Sequence, residues 1–389
     1  MEKSFHYYAT YSAAYLAGFS HEQSREICYS AQLVDHCSRT YLERIGGPLA
    51  AATTQLAGEM AQARTDPAGL ADITRIWASF HFLPRDLQAS VPRGGKRYRN
   101  KYRLICGPNG KLLVDTIGLA QGKGTQASGI AMHVLADTWA HRNFAGTPSL
   151  VINNTNRYFV ELLPTKEGSY EERPVRFRHS AGTPDDIDAG IYTNSVYQAS
   201  ENSIMNLGHG RAGHLPDYSF IQYRYAPAWG DYEETLKDNP TEYYQAFCQM
   251  VYALGYLRNP QGPFELHTYD TNAVANHQPA IMQILKTRQL DAGACKDWKA
   301  FAESLSGQSI PDFEIDAHIA EYQGASPEYK NETFLGRFIL AALAQKGMVT
   351  NRIYASGNPI AGRTIEYDGQ GRVGIRDFMV LVNYLKRGD

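Results

Sequence analysis

The sequence has no run of 18 apolar residues, so no segment is expected to cross a membrane as a helix. It has no C-x-x-C pair either. Its five cysteines, Cys28, Cys37, Cys106, Cys248 and Cys295, are odd in number and scattered. That excludes a zinc ribbon or a dithiol redox motif and makes a reducing compartment the default. Net charge is close to absent, with 38 Lys and Arg against 40 Asp and Glu giving −2. No field then favours nucleic acid or an anionic membrane. The glycine-rich GLAQGKGT at 118–125 is not a P-loop, because its glycine spacing is one residue short of G-x-x-x-x-G-K. No internal repeat is visible. The N-terminus MEKSFHYYATYSAAYLAGF lacks a clean apolar run and a small-residue cleavage site, so no signal peptide is expected. The expected location is the cytoplasm, or export without a classical signal peptide.

What is present is the balance of a folded chain: 389 residues, 43% hydrophobic and 20% charged. The 26 tyrosines suit a half-buried core as well as pocket walls. Helical periodicity predominates. Residues 4–18 place His6, Ala9, Ala13, Leu16 and Ala17 on one face and stop at Gly18. Ser20 with Gln23 is a capping-box pattern that opens a second helix, expected to run to about Arg39. There Ile27, Ala31 and Val34 make the buried face, which turns Asp35 inward and His36 outward. A carboxylate facing a core needs a compensating cation. Residues 47–67 are Ala-rich and expected to be helical. The aromatic run 76-IWASFHFLPRDL-87 sets His81 between two phenylalanines. The cluster Arg93, Lys96, Arg97, Arg99, Lys101 and Arg103 reads as a solvated basic loop. Residues 145–195 read as an irregular excursion with a short hairpin. Helices are expected at about 196–206, 240–258, 271–288, 295–306, 312–322 and 331–346. The tail 366-EYDGQGRVGIRDF-378 only loosely resembles a calcium loop and reads as a turn or hairpin.

The chemistry lies in 131-AMHVLADTWAHRNFAG-146. His133, Asp137 and His141 recur every four residues on one helix, which brings Cβ atoms to about 5–6 Å of one another. His133 and Asp137 can then share one ion at about 2.0–2.2 Å. His141, about 12 Å along the axis from His133, suits a second ion beyond Asp137. A central carboxylate can thereby join two ions about 3.5–4 Å apart. Ile130, Ala140 and Phe144 share this face, so the stripe points into the protein. Further inward candidates are His6, Asp35, His81 and, in the glycine-rich 207-LGHGRAGHLPDYSF-220, His209 and His214 with Asp217 nearby. Arg142 and Arg211 stand beside these and are candidates to hold a substrate phosphate. His21, His36, His179, His267, His277 and His318 lack such context.

The segments FHYYATYSAAYLAGFS, SAQLVD, FHFLP, HVLADTWAHRNFAG and GHGRAGHLPD, in this order, resemble a bacterial family of unassigned function. That family is similar, at a distance, to the superfamily of zinc-dependent phospholipases C and fungal single-strand nucleases. The resemblance covers roughly residues 4–230. It implies an all-α, multi-helix bundle holding up to three zinc ions that cleave phosphoester bonds. It carries H-x-x-x-D onto His133 and Asp137, the N-terminal His onto His6, the inward Asp onto Asp35, the next His onto His81, and the later ligands onto His141 and His209. Two departures stand out. The superfamily places an acid four residues after its last His; here that position is Gly213, and His214, Asp217 or an empty site are the alternatives. The secreted members also use a processed N-terminal residue as a ligand, whereas His6 is internal.

The expectation is an all-α bundle with long loops and a small β-hairpin. Residues 1–235 form a metal-binding core with a loop insertion around 145–195, and 236–389 a helical layer packed on it as one domain. The expected activity is phosphoester hydrolysis by water activated at two to three zinc ions, with Asp35 or Asp137 orienting or deprotonating that water. A phosphoester-containing small molecule or lipid is the expected partner. The rival from another class is a metal-stabilised helical interaction or effector protein without catalysis, which closed four-ligand coordination would favour. A di-iron or di-manganese bundle ranks last, because no Glu-x-x-His pair belongs to this set.

Overall fold

A computed structural model describes residues 1–56, 59–60, 67–91, 94–155, 158–178, 182–194, 206–230 and 233–363. The helix expected at 196–206, all but its last residue, and the calcium-loop-like tail lie outside them, as does His179.

The chain begins with a π-helical turn, Ser4–Ala9, that runs into α1 (Thr10–Leu16). Gly18, at φ +87°, reverses the chain. Ser20 then caps α2 (His21–Leu33) through the full reciprocal capping box with Gln23. The helix stops at Leu33 rather than near Arg39, so Asp35 and His36 sit on the turn that follows. The helix α3 (Arg39–Ile45) follows. The helix expected at 47–67 is corrected over most of its described part. Over residues 47–56 only Leu49–Ala51 makes a 3₁₀ turn and residues 52–56 have no regular structure, whereas Glu59 and Met60 are helical as expected. The Thr53 N–H and hydroxyl reach back to the Cys37 and Val34 carbonyls, which close the turn after α2. Then come α4 (Pro67–Phe80), α5 (Lys96–Tyr102), α6 (Lys111–Ala120), α7 (Thr125–Ala140) and the short α8 (Leu150–Asn153). The later helices are α9 (Asn239–Arg258), α10 (Thr271–Val274), α11 (Gln278–Lys286), α12 (Asp291–Ser306), α13 (Ile319–Gly324) and α14 (Phe334–Ala355).

The fold is mostly helical with a small sheet, which corrects the all-α expectation. The strands are β1 (Val160–Pro164), β2 (Tyr170–Pro174), β3 (Arg176–Arg178), β4 (Ile191–Thr193), β5 (Gln222–Tyr225) and β6 (Thr235–Asp238). Four of them form an antiparallel sheet in the order β2-β1-β5-β6, and β3 pairs with β4 in parallel. The expected hairpin is β1–β2, with Val160 opposite Pro174. It acquires two further strands because QYRY alternates: Tyr223 and Tyr225 face inward while Gln222 and Arg224 face out. A cluster of Phe82, Phe144, Phe159, Tyr218, Tyr223 and Tyr225 lies beneath the sheet.

The centre of the molecule is α7, buried along almost its whole length. It packs against α2, α4, α6, α9 and α14, so its apolar residues ring the helix instead of keeping to one stripe. One apolar cluster runs from Phe5 and Ile27 through Leu135 to Phe247, Trp298 and Phe338, and so draws on both parts of the chain.

Candidate metal centre

His133 and Asp137 lie one turn apart on α7, and His141 caps its C-terminus. Gly129, one turn before His133, fixes the depth of this helix. A Cβ there would stand 2.4 Å from the Ile27 carbonyl oxygen and 2.5 Å from the Ser30 Cβ, so only glycine admits this approach of α7 to α2. The approach brings the His133 ring against the end of α2, where Nδ1 lies 2.9 Å from the Ala31 carbonyl. A carbonyl only accepts, so Nδ1 carries the proton and Nε2 holds a lone pair.

The same pattern recurs. His81, which follows the last residue of α4, sets Nε2 at 3.0 Å from the Thr53 carbonyl. Its Nδ1 is the free nitrogen. His141 Nδ1 donates to the His81 carbonyl at 2.6 Å. His209 Nδ1 donates to the Gly213 carbonyl at 2.8 Å. Each of these four rings thus has one nitrogen fixed by backbone and one lone pair directed inward. Backbone carbonyls hold metal-binding imidazoles in this way, setting tautomer and orientation.

What the lone pairs face is decisive. His133 Nε2 lies 3.3 Å from His81 Nδ1 and 3.2 Å from Asp137 Oδ2. His81 Nδ1 is 3.3 Å from the same oxygen, and Asp35 Oδ1 is 3.8 Å from both nitrogens. His6, turned inward by the π-helical turn, stacks on His133 at 3.9 Å between centroids and sets Nε2 at 3.1 Å from Asp137 Oδ1. On the other side of Asp137, His141 Nε2 is 3.2 Å from Asp217 Oδ1, and His209 Nε2 is 3.7 Å from Asp217 Oδ2. The α-amino group of Met1 lies between the halves, 2.8 Å from Asp137 Oδ1 and 3.4 Å from Asp217 Oδ1. Three groups result: His6, His133 and Asp137; Asp35, His81 and His133; and His141, His209 and Asp217. Within each, the ligand atoms lie within 4.8 Å of one another.

Electrostatics follow from burial and neighbours. Desolvation pushes the carboxyls of Asp35, Asp137 and Asp217 up, but the surrounding imidazoles and the Met1 ammonium more than offset it, and all three are held below the usual carboxylate range. Desolvation lowers His6 and His209 to about 4, so both are neutral at pH 7. His6 Nδ1 is buried without a hydrogen-bond partner. Ring nitrogens and anionic oxygens crowd together here, and the Met1 ammonium meets only Asp137, Asp217 and His141 among them. Each of the three groups offers a cation two or more such ligands, and a His/Asp donor set suits zinc. The residues present therefore fit such an ion.

The chain belongs to a family of unknown function, DUF6765. The match runs over residues 1–353. No curated protein and no solved structure compared with it matches. Among the described residues no helix is long and apolar enough to cross a membrane.

Of the candidate residues, the structure brings together His6, Asp35, His81, His133, Asp137, His141, His209 and Asp217. His214 does not join them. Its Nδ1 lies 3.1 Å from Asp185 Oδ2, and Asp217 is the residue placed beside His141 and His209. Gly213, at φ +58°, makes the tight turn that separates the two imidazoles of GHGRAGH. Arg142 pairs with Glu242 at 2.9 Å, and the buried Arg211 donates to Asn206 at 3.3 Å. Neither lines the cavity of about 600 Å³ that opens on Met1, Glu2, Asp185, His214, Asp217 and Tyr218. Sequence reasoning missed Met1, Thr53 and Asp185. Thr53 sat in a stretch read as helix, and Asp185 in one read as irregular loop.

Proposed function

We propose that this chain is a metal-dependent hydrolase of phosphoester bonds, with zinc as the metal its donor set suits. The observation that carries the reading is the convergence of imidazole nitrogens and carboxylates into three groups beside a cavity. Zinc, when bound, supplies Lewis acidity that acidifies water and offsets charge on phosphoryl oxygens. The chain's own residues do the rest. Asp137, fully buried and shared across the two halves, joins the groups on either side of it. Asp35, whose side chain is 31% exposed, is the member of its trio open enough to orient an attacking water or take its proton. His141, His209 and Asp217 hold the side reached from the cavity. The carbonyls of Ala31, Thr53, His81 and Gly213 keep the rings in their working tautomers. A phosphoester-containing small molecule or lipid suits a chain of net charge −2 better than a polynucleotide. The distant resemblance to zinc-dependent phospholipases C and single-strand nucleases points the same way, with residues 236–363 as a helical layer packed on the metal-binding part.

A second reading has one observation in its favour. His6 and His133 are fully buried, so an ion held by them with Asp137 has the closed surroundings of a structural site. On that reading the metal stabilises a helical interaction protein. Two measurements separate the readings: metal content per chain by mass spectrometry, and turnover of phosphodiesters by the zinc-loaded protein. Two or three zinc ions that fall sharply in Asp137→Ala, with metal-dependent turnover, support the hydrolase. A single firmly held ion with no turnover on any phosphoester supports the structural reading.

A further inference from the structure

The cavity beside the outer group carries a second set of groups. Asp185 is buried, and its side chain is 1% exposed. Its Oδ1 accepts from the Thr193 backbone N–H at 2.6 Å, and its Oδ2 accepts from the Tyr218 hydroxyl at 2.8 Å. The same Oδ2 lies 3.1 Å from His214 Nδ1. Burying a carboxylate this deeply and fixing both its oxygens is costly unless the ring it holds has to be held. Hydrogen bonds from His214, Tyr218 and Thr193 overcome desolvation and keep Asp185 below the ordinary carboxylate range. His214 is the opposite case to the buried imidazoles. Its side chain is 56% exposed, and its bond to Asp185 raises it above the ordinary histidine value against a smaller effect of burial. With Nδ1 committed to Asp185, Nε2 is the nitrogen left for a ligand. The ring stands on the same turn as Asp217, whose N–H donates to the His214 carbonyl at 2.9 Å. Both residues line the cavity together with Glu2 and Asp291, and the Asp185 and Asp217 carboxylates beside the ring favour an imidazolium over a neutral ring.

We infer that His214, oriented by Asp185, is the proton donor to the leaving oxygen of the phosphoester, with Asp185 as its positioning residue. The inference rests on the phosphoesterase reading. As water bonds to phosphorus and loses a proton to solvent, the bond from phosphorus to the leaving oxygen breaks with its electron pair going to that oxygen. His214 Nε2 delivers its proton there. The neutral ring then regains a proton from solvent through its exposed face. General acid catalysis requires a positioned proton donor, and the carboxylate of Asp185 fixes the orientation of this one.

The test compares the zinc-loaded wild type with His214→Gln and Asp185→Asn on bis(4-nitrophenyl) phosphate and diphenyl phosphate. The nitrophenolate leaves without help, and the phenolate needs a proton. His214→Gln should keep the wild-type zinc content, slow diphenyl phosphate by about 100-fold and slow the nitrophenyl ester by less than about 10-fold. Asp185→Asn should do the same more weakly. Independently of turnover, NMR of the metal-free protein should find the His214 Nδ1 proton hydrogen-bonded to Asp185, a signal lost in Asp185→Asn. Equal slowing of both esters, or none, overturns the inference and leaves the phosphoesterase reading standing. A wild type that cleaves neither ester overturns both. A His214 whose Nδ1 shows no hydrogen bond to Asp185 overturns the inference whatever the turnover.

Discussion

Replacing Gly129 by Ala tests whether the approach of α7 to α2 sets the candidate metal centre. Two effects oppose each other. Alanine in a helix interior is favoured over glycine by about 1 kcal/mol. Against this, the new Cβ would stand 2.4 Å from the Ile27 carbonyl oxygen, 2.5 Å from Ser30 Cβ and 3.0 Å from the Ala31 nitrogen. Two of these contacts are backbone, so no side chain can swing aside. Relief requires α7 to retreat by roughly 1 Å, and overpacking of that kind costs about 1–3 kcal/mol. The same retreat would stretch the His133 bond to Ala31, now 2.9 Å, past hydrogen-bond length. That loses about 1 kcal/mol more and frees the His133 ring to turn. The expected outcome is a net destabilisation of about 1–3 kcal/mol in urea unfolding of the metal-free protein. Zinc per chain should fall with it. The matched control is Gly118→Ala on α6, where a Cβ meets nothing within 4 Å, and there propensity alone should act to stabilise. A Gly129→Ala protein as stable as the Gly118→Ala control, with full zinc content, would refute the reasoning.

Metal stoichiometry should depend on which residue is removed. His133→Ala takes away a member of two groups and should empty both, whereas Asp217→Ala should empty only the group with His141 and His209; counting zinc per chain in the two variants checks this. Chelation should lower thermal stability, since an ion at about 100 times its dissociation constant contributes about 2.7 kcal/mol; a melting temperature unchanged by chelator would contradict a bound ion. Lys346 makes a prediction about pH. Its Nζ donates to the Ala52 carbonyl at 3.2 Å, and burial, reinforced by Arg39 and Arg75, lowers it to about 7 from 10.5. The unfolded chain then binds more protons than the folded one between pH 7 and 10.5. Stability should rise with pH across that window, by up to about 1.4 kcal/mol per unit, and Lys346→Met should flatten the slope. A wild-type slope no steeper than the variant's would count against it.

Most of the centre was legible because helical spacing is local. His133, Asp137 and His141 follow from counting by four along α7, and the inward sense of Asp35 from counting along α2. Asp35 lies beyond the end of that helix, yet the turn keeps it on the side of Ile27 and Ala31, so the angle argument survives the boundary error. His6 was placed by the same periodicity, although a π-helical turn and not a regular α-helix presents it. The sheet was less legible. Its strands β5 and β6 are four residues each, and only the alternation of Tyr223 and Tyr225 marks them. Strands β1 and β5 pair across some sixty residues of intervening chain, a distance that no local pattern spans.

The choice between His214 and Asp217 shows where sequence reasoning ends. Both follow His209 within one glycine-rich loop, and glycine leaves the backbone free to deliver either. The loop's path is set by contacts far from it in sequence. Gly208, at φ +53°, lies so close on the Phe82 ring that a Cβ would stand 2.2 Å from it. Gly213 lies so close on the Thr193 carbonyl that a Cβ would stand 2.1 Å from that oxygen. Phe82 comes from the segment that carries His81, and Thr193 is the residue whose N–H binds Asp185. The loop is therefore held at one end by the segment that carries His81 and at the other by the carboxylate that claims His214. Gly208→Ala should consequently disturb His209 and the zinc count, while Gly213→Ala should disturb both histidines, because its carbonyl fixes His209 and its contact with Thr193 sets the distance from Asp185 to His214.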